Sequence, residues 1–200
     1  MKIYVYLIRH GKTAGNRKGA YIGSTDEPLS PEGRNQLKAL AGSFPVPDEL
    51  WRSPLCRCEQ TADILYPGIL ARICGDLREC DFGAYEGKNY EQLKDEPGYQ
   101  NWLNSGGTVP FPGGENPVAF RARSQKAFAA IAGEAARRHP GGTLAVVCHG
   151  GTIMAILDAF SNPHRDFYSW QAPNAGGYGF WYDPEEKRAE QIVLLTDGRK

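Results

Sequence analysis

The chain has 200 residues, 41% of them hydrophobic, with 23 Lys+Arg against 23 Asp+Glu. A chain of that length buries roughly 70% of its unfolded surface, so one α/β domain forms without disulfides or metal. Balanced charge argues against a nucleic-acid or membrane surface as partner, no apolar run reaches the roughly 18 residues of a membrane span, and any anion site must be a local cluster of cations.

A strand is predicted at about 3–9, from the continuous apolar run Ile3-Tyr4-Val5-Tyr6-Leu7-Ile8. Such a run suits a strand buried on both faces of a parallel sheet. A glycine-rich loop follows through Gly11, Gly15, Gly19 and Gly23. Ser30-Pro31 reads as an N-cap with proline at the first helical position, and Leu37, Leu40, Ala41 and Phe44 give that helix its apolar stripe. Leu50-Trp51 is a short strand, Cys58 to Tyr66 a second helix, and 69–73 a strand-like piece. Another strand-like piece precedes Glu79. Residues 80–115 read as a cap-like insertion within a single domain spanning 1–200, with weak helical signals near 90–94 and 97–104. The longest helix runs from Pro117 to Arg138, with Val118, Ala122, Phe128, Ala132 and Ala135 inward. A strand at 143–148, a helix at about 151–160 and a hairpin of strands near 177–182 and 190–195 complete the chain. Alternating strands and helices predict a three-layer α/β/α fold, its sheet mostly parallel with an antiparallel edge.

Both apolar runs end in histidine: Arg9-His10-Gly11 and Cys148-His149-Gly150-Gly151. In parallel sheets, ligands bind beyond the carboxyl ends of strands, so the two imidazoles are expected at one site. Arg9 beside His10 suggests an anion. Three further segments carry chemistry-bearing types: Ser53-Pro54-Leu55-Cys56-Arg57-Cys58-Glu59-Gln60-Thr61-Ala62, Leu77-Arg78-Glu79-Cys80-Asp81-Phe82-Gly83, and Pro112-Gly113-Gly114-Glu115 with Arg123 beyond it. Arginine presents a planar fork to two phosphate oxygens at once. A neutral imidazole can attack phosphorus, with its second nitrogen donating to a fixed acceptor, here expected to be a glycine-loop carbonyl. A buried carboxyl can keep the proton that a leaving alkoxide needs.

Together and in this order, these motifs resemble the histidine phosphatase superfamily, also called phosphoglycerate mutase-like, over about residues 3–160. The resemblance implies that His10 accepts the phosphoryl group, and that Arg9, Arg57 and His149 surround it with Asn16 as a further contact. It places Glu79 at the proton-donor position, with Asp81 and Glu86 as alternative carboxyls nearby. It places Gly23, Gly150 and Gly151 where backbone lines the substrate pocket. No cofactor or metal is implied. Glu115 reads equally as a pocket residue or a helix-terminal charge, Arg123 as a brace paired with a carboxylate, and His139 and His164 as surface residues. Lys12 departs from the family, which more often has an acidic residue there, and is expected to make the entrance more basic.

Phosphatases of this family pass the phosphoryl group to water and mutases return it to a sugar acid. Mutases are longer and carry tryptophan where this chain has Gly15. A phosphatase acting on a small phosphate ester is therefore expected, with a mutase, a broad-specificity phosphatase and a non-catalytic phosphate-binding module as alternatives. The retention of all five motif residues weighs against the last. The segments 21–29 and 79–87 look most like the α-ribazole phosphatase branch, which serves cobalamin biosynthesis. Phe82, Tyr85, Tyr90, Tyr99, Trp102 and Phe111 of the cap segment could stack on a flat ring or simply pack the cap. The odd cysteine count (Cys56, Cys58, Cys74, Cys80, Cys148) and an N-terminal run too short for a signal peptide point to reduced thiols in a cytoplasm.

Overall fold

A computed structural model describes residues 1–196; residues 197–200, the tail of the expected 1–200 domain, lie outside the described residues. In chain order the elements are β1 (Ile3–Arg9), α1 (Ala14–Arg17), α2 (Pro31–Leu40), β2 (Glu49–Arg52), α3 (Cys56–Leu65), β3 (Arg72–Ile73), α4 (Tyr90–Leu93), α5 (Pro97–Asn104), α6 (Pro117–Arg138), β4 (Thr143–Cys148), α7 (Gly150–Phe160), β5 (Gly177–Asp183) and β6 (Arg188–Leu195). The sheet order is β3-β2-β4-β1-β5-β6. The first four are mutually parallel, and β5 and β6 add an antiparallel edge.

Alternate residues of the central strands feed two cores, as a period of two requires. Ile3, Val5, Leu7, Leu144, Val146 and Phe180 pack with Phe128, Ala132, Ile153 and Ile156 of α6 and α7. Tyr4, Tyr6, Ile8, Ala145 and Val147 pack with Leu37, Cys58, Ala62 and Leu65 of α2 and α3. Helices thus cover both faces of the sheet. The 80–115 segment adds no strand. Its Tyr85, Leu93, Tyr99 and Phe111 form a third cluster with Phe120 of α6 and Ala155 of α7. Among the described residues, no helix is long and apolar enough to cross a membrane.

Several expected elements differ. The inward face of α6 carries Phe120, Ser124, Ala127, Phe128, Ile131, Ala132 and Ala135. Val118 is 64% exposed and Ala122 is also exposed. Counting back by three from Ile131 gives Phe128, and by fours from there Ser124 and Phe120, which fixes the phase. The strand-like piece before Glu79 is a 3₁₀ turn, Gly75–Leu77, and the one at 69–73 shrinks to the two exposed residues of β3. Helix α2 stops at Leu40, and Phe44 reaches the core from beyond its end. Helix α3 starts at Cys56, which puts Arg57 in its first turn.

Candidate active site

Register brings the two histidines together. In the parallel pair of β1 and β4, Ile8 lies opposite Val147 and Arg9 opposite Cys148. The next residues, His10 and His149, therefore leave the sheet side by side, with ring centroids 5.2 Å apart at 64°. The His10 Nδ1 lies 2.7 Å from the Gly11 carbonyl. A carbonyl only accepts, so Nδ1 carries the proton and Nε2 keeps its lone pair. Gly11 is held in turn by its N–H to Thr61 Oγ1 at 3.1 Å, and that hydroxyl donates to the Arg57 carbonyl. Burial, then Arg57 and Arg9, hold the His10 pKa well below the ordinary imidazole value.

Arg9 donates from Nη1 to the Ala172 carbonyl at 2.7 Å, while its buried Nε has no hydrogen-bond partner among the described residues. Arg57 is completely buried; its Nη1 donates to the Thr25 carbonyl and its Nη2 to the Gly23 carbonyl, each at 2.8 Å. Its Nε donates to His149 Nδ1 at 3.3 Å. That contact puts the His149 proton on Nε2, which donates to Ser53 Oγ at 2.7 Å. Burial, Arg57 and His10 keep His149 neutral well below the usual range.

Glu79 is buried, accepting from the Cys80 N–H at 3.0 Å and the Gly151 N–H at 2.8 Å. Burial raises its pKa, and the two N–H groups with Arg57 and Arg9 offset part of that rise. A Cβ at Gly151 would overlap the Glu79 carboxylate, and one at Gly23 would overlap the Cys80 carbonyl. Only glycine permits either approach. The alternative carboxyls are committed elsewhere. Glu86 accepts from the N–H groups of Gly23, Ser24 and Phe82 and from the Thr25 hydroxyl. Asp81 accepts from the Ser24 hydroxyl and the Gly83 N–H. Both shape the loop rather than line the cavity. Glu115 is not in the cavity lining; it stands just before Asn116, the N-cap of α6, where Arg123 grips it through Nε at 2.7 Å and Nη2 at 2.8 Å. Lys12 is not in the cavity lining, and its ammonium pairs with Glu32 at 2.8 Å. His139 approaches Glu49 at 3.4 Å, and His164 is exposed.

A cavity of about 330 Å³ opens over the strand ends. Arg9, His10, Asn16, Glu79, Gly150 and Gly151 line it, as do Tyr21, Phe82, Trp102, Phe111, Phe120 and Phe167. Arg57 and His149, expected around the phosphoryl group, and Gly23, expected to line the pocket with its backbone, stand outside this lining. Of the six cap aromatics, Phe82, Trp102 and Phe111 face the cavity, Tyr85 and Tyr99 fill the cap core, and Tyr90 is exposed. Sequence reasoning assigned no role to Ser53, Asn174 or Ala172. Asn174 donates to the His10 carbonyl at 3.2 Å and to Asn16 Oδ1 at 3.1 Å, so it ties two lining residues together. Ser53 follows β2 just as His149 follows β4, and the strand-end rule that marks the histidines marks it too.

A sequence profile of the Histidine phosphatase superfamily (branch 1) matches residues 5–194. A protein of Hydrogenobacter thermophilus provisionally named phosphoserine phosphatase 2 is 32% identical over 161 residues, 76% of this chain and 76% of its own. The phosphoglycerate mutase from Thermus thermophilus superposes with a TM-score of 0.72 at 30% identity, covering 97% of this chain and 99% of that one. The α-ribazole phosphatase from Shigella flexneri superposes with a TM-score of 0.82 at 23% identity, covering 98% of each chain, a likeness of fold.

Proposed function

Since the chain belongs to the histidine phosphatase superfamily and is a phosphomonoester hydrolase, we propose that it works through a phosphohistidine on His10 and prefers a ring-bearing ester. The observation that carries the mechanism is the His10 ring: Nδ1 is tied to the Gly11 carbonyl, leaving Nε2 bare beside buried cations. In the first step, Nε2 forms a bond to phosphorus while the ester P–O bond breaks. Glu79, whose hold on its proton is strengthened by burial, gives that proton to the leaving oxygen. In the second, the Glu79 carboxylate takes a proton from water as the water oxygen attacks phosphorus. The N–P bond breaks, and His10 and Glu79 return to their starting forms. Arg9 supplies the guanidinium for the equatorial oxygens, where positioning and electrostatics do most of the catalysis. Arg57 and His149 serve by position: burial first and then Arg57 keep His10 unprotonated, and the His149 ring packs beside it with centroids 5.2 Å apart. The start of α7 adds N–H groups and partial positive charge.

The cavity's aromatic lining supports a flat leaving group of the α-ribazole 5′-phosphate kind, which would place the enzyme in cobalamin biosynthesis. The described cysteines are free thiols, in keeping with a reducing cytoplasm. Stacking contributes roughly 1–3 kcal/mol per ring, about 5- to 150-fold in selectivity if kept in the transition state. The test has two parts. Rapid quench with labelled ester should trap acid-labile phosphate on His10, and His10→Ala should lose several orders of magnitude in turnover. Near wild-type activity in that variant sinks the mechanism. A panel of α-ribazole phosphate, a nucleoside monophosphate, phosphoserine and 3-phosphoglycerate then ranks kcat/KM. Preference for phosphoserine would follow the Hydrogenobacter relative instead, and efficient phosphoglycerate interconversion would mark a mutase.

A further inference from the structure

One charged side chain of the cavity takes no part in the chemistry above. Arg121, in the second turn of α6, lines the same cavity as His10 and Glu79. Its guanidinium carbon sits 3.9 Å from the centre of the Phe167 ring, which also lines the cavity. Its one carboxylate neighbour among the described residues is Asp158 of α7, at 4.0 Å, the outer limit of an ion pair. No hydrogen bond engages the guanidinium among the described residues. Arg57 and Arg123, by contrast, are held by carbonyls, a ring nitrogen or a carboxylate. A guanidinium has five N–H donors, and one set in an aromatic wall gains most from an acceptor that comes with the ligand.

Resting on the phosphomonoesterase reading, we infer that Arg121 is a specificity-determining residue that reads a hydrogen-bond acceptor, neutral or anionic, on the leaving group of the ester. The Phe167 ring, 3.9 Å from the guanidinium carbon, seats the group against the cavity wall, so its fork meets an acceptor with less rotamer freedom left to lose. Asp158 holds the charge loosely and yields it to a better-placed acceptor. The aromatic lining receives the body of the leaving group, and Arg121 selects among bodies by what their edge carries. A carboxylate gains more than a neutral carbonyl or ring nitrogen, because charge-assisted hydrogen bonds are the stronger ones.

The experiment compares phenyl phosphate, meta-acetylphenyl phosphate and meta-carboxyphenyl phosphate, which offer no acceptor, a neutral one and an anionic one. For each probe, the ratio of wild-type kcat/KM to that of Arg121→Met cancels the probe's own leaving-group reactivity. The ratio for the carboxyl probe should exceed that for phenyl phosphate by about 10- to 100-fold, with the acetyl probe between. Arg121→Lys should recover part of the loss on the carboxyl probe. Asp158→Asn, which frees the guanidinium without removing it, should raise the preference for carboxyl over phenyl. Equal ratios for all three probes, with no change of preference in Asp158→Asn, overturn the inference and leave Arg121 as wall packing. A wild type that hydrolyses phosphoserine but none of the aryl esters overturns the ring-ester reading itself, and this one with it.

Discussion

The chemistry needs the His10 imidazole bare and the Glu79 carboxyl protonated; near neutrality water already favours the first and opposes the second. Burial moves each in the useful direction, lowering His10 and raising Glu79. Activity on alkyl esters should therefore fall on the acid side as His10 gains its proton. It should fall on the alkaline side as Glu79 loses its own. The first limb lies below the ordinary 6.5 of imidazole and the second above the ordinary 4.5 of a carboxyl. Glu79→Gln removes the proton donor but keeps a side chain of the same shape. Alkyl esters should then lose roughly 10²–10⁴-fold, the usual worth of general acid assistance, in kcat/KM, which reads the phosphorylation step alone. p-Nitrophenyl phosphate, whose anion leaves unaided, should lose far less, and its alkaline limb should disappear. Equal losses on both substrates, with the limb intact, would take the proton from Glu79 and assign it to water.

At the scale of elements, α6 does more than cover the sheet. Arg123, on its second turn, donates to both oxygens of Glu115 and to the carbonyls of Asp76, Arg78 and Glu79. It clamps the turn that delivers Glu79 against the helix. Arg123→Met would leave a mostly buried carboxylate and three carbonyls without their donor, at a cost of about 3 kcal/mol. A Glu79 set loose in this way should show as a kcat/KM loss that is larger for alkyl esters than for p-nitrophenyl phosphate. Urea midpoints and the ratio of the two rates check both halves. Unchanged stability with an unchanged ratio would reduce the clamp to a surface contact. Legibility in the sequence follows the same divide between regular and irregular elements. Strands β1 and β4 were readable because burial on both faces demands unbroken apolar runs. The ends of α6 were readable from Pro117 and from Pro140-Gly141-Gly142, but its phase was not, since alanines occupy every side. The strand-end rule located His10 and His149. It gave no depth, so nothing distinguished Arg9 and Asn16 in the cavity lining from Arg57 behind it. Ala172 and Asn174 sit in an irregular stretch without periodicity, and only the folded chain brings them to Arg9 and His10.

Folding the whole molecule buries His10, His149 and Glu79 together at one end of the sheet, and stability must register it. Both imidazoles have folded pKa values well below 6.5. Below pH 6.5 the unfolded chain binds two protons that the folded chain refuses, so acidification favours unfolding. Each such group removes at most about 1.4 kcal/mol per pH unit. Glu79 has the opposite sign. Its raised folded value means that the unfolded chain loses a proton first as pH rises above 4.5, so its contribution favours the folded state on acidification. One carboxyl, its rise partly offset by two N–H groups and two arginines, works against two histidines. The net expectation is a loss of about 1–3 kcal/mol between pH 7.5 and pH 5.5. Urea unfolding at the two pH values measures it through the shift in midpoint. Glu79→Gln removes the opposing group and should steepen the loss. A midpoint that stays level or rises on acidification would mean that the histidines are protonated in the folded state, and the bare Nε2 required for attack would not be there.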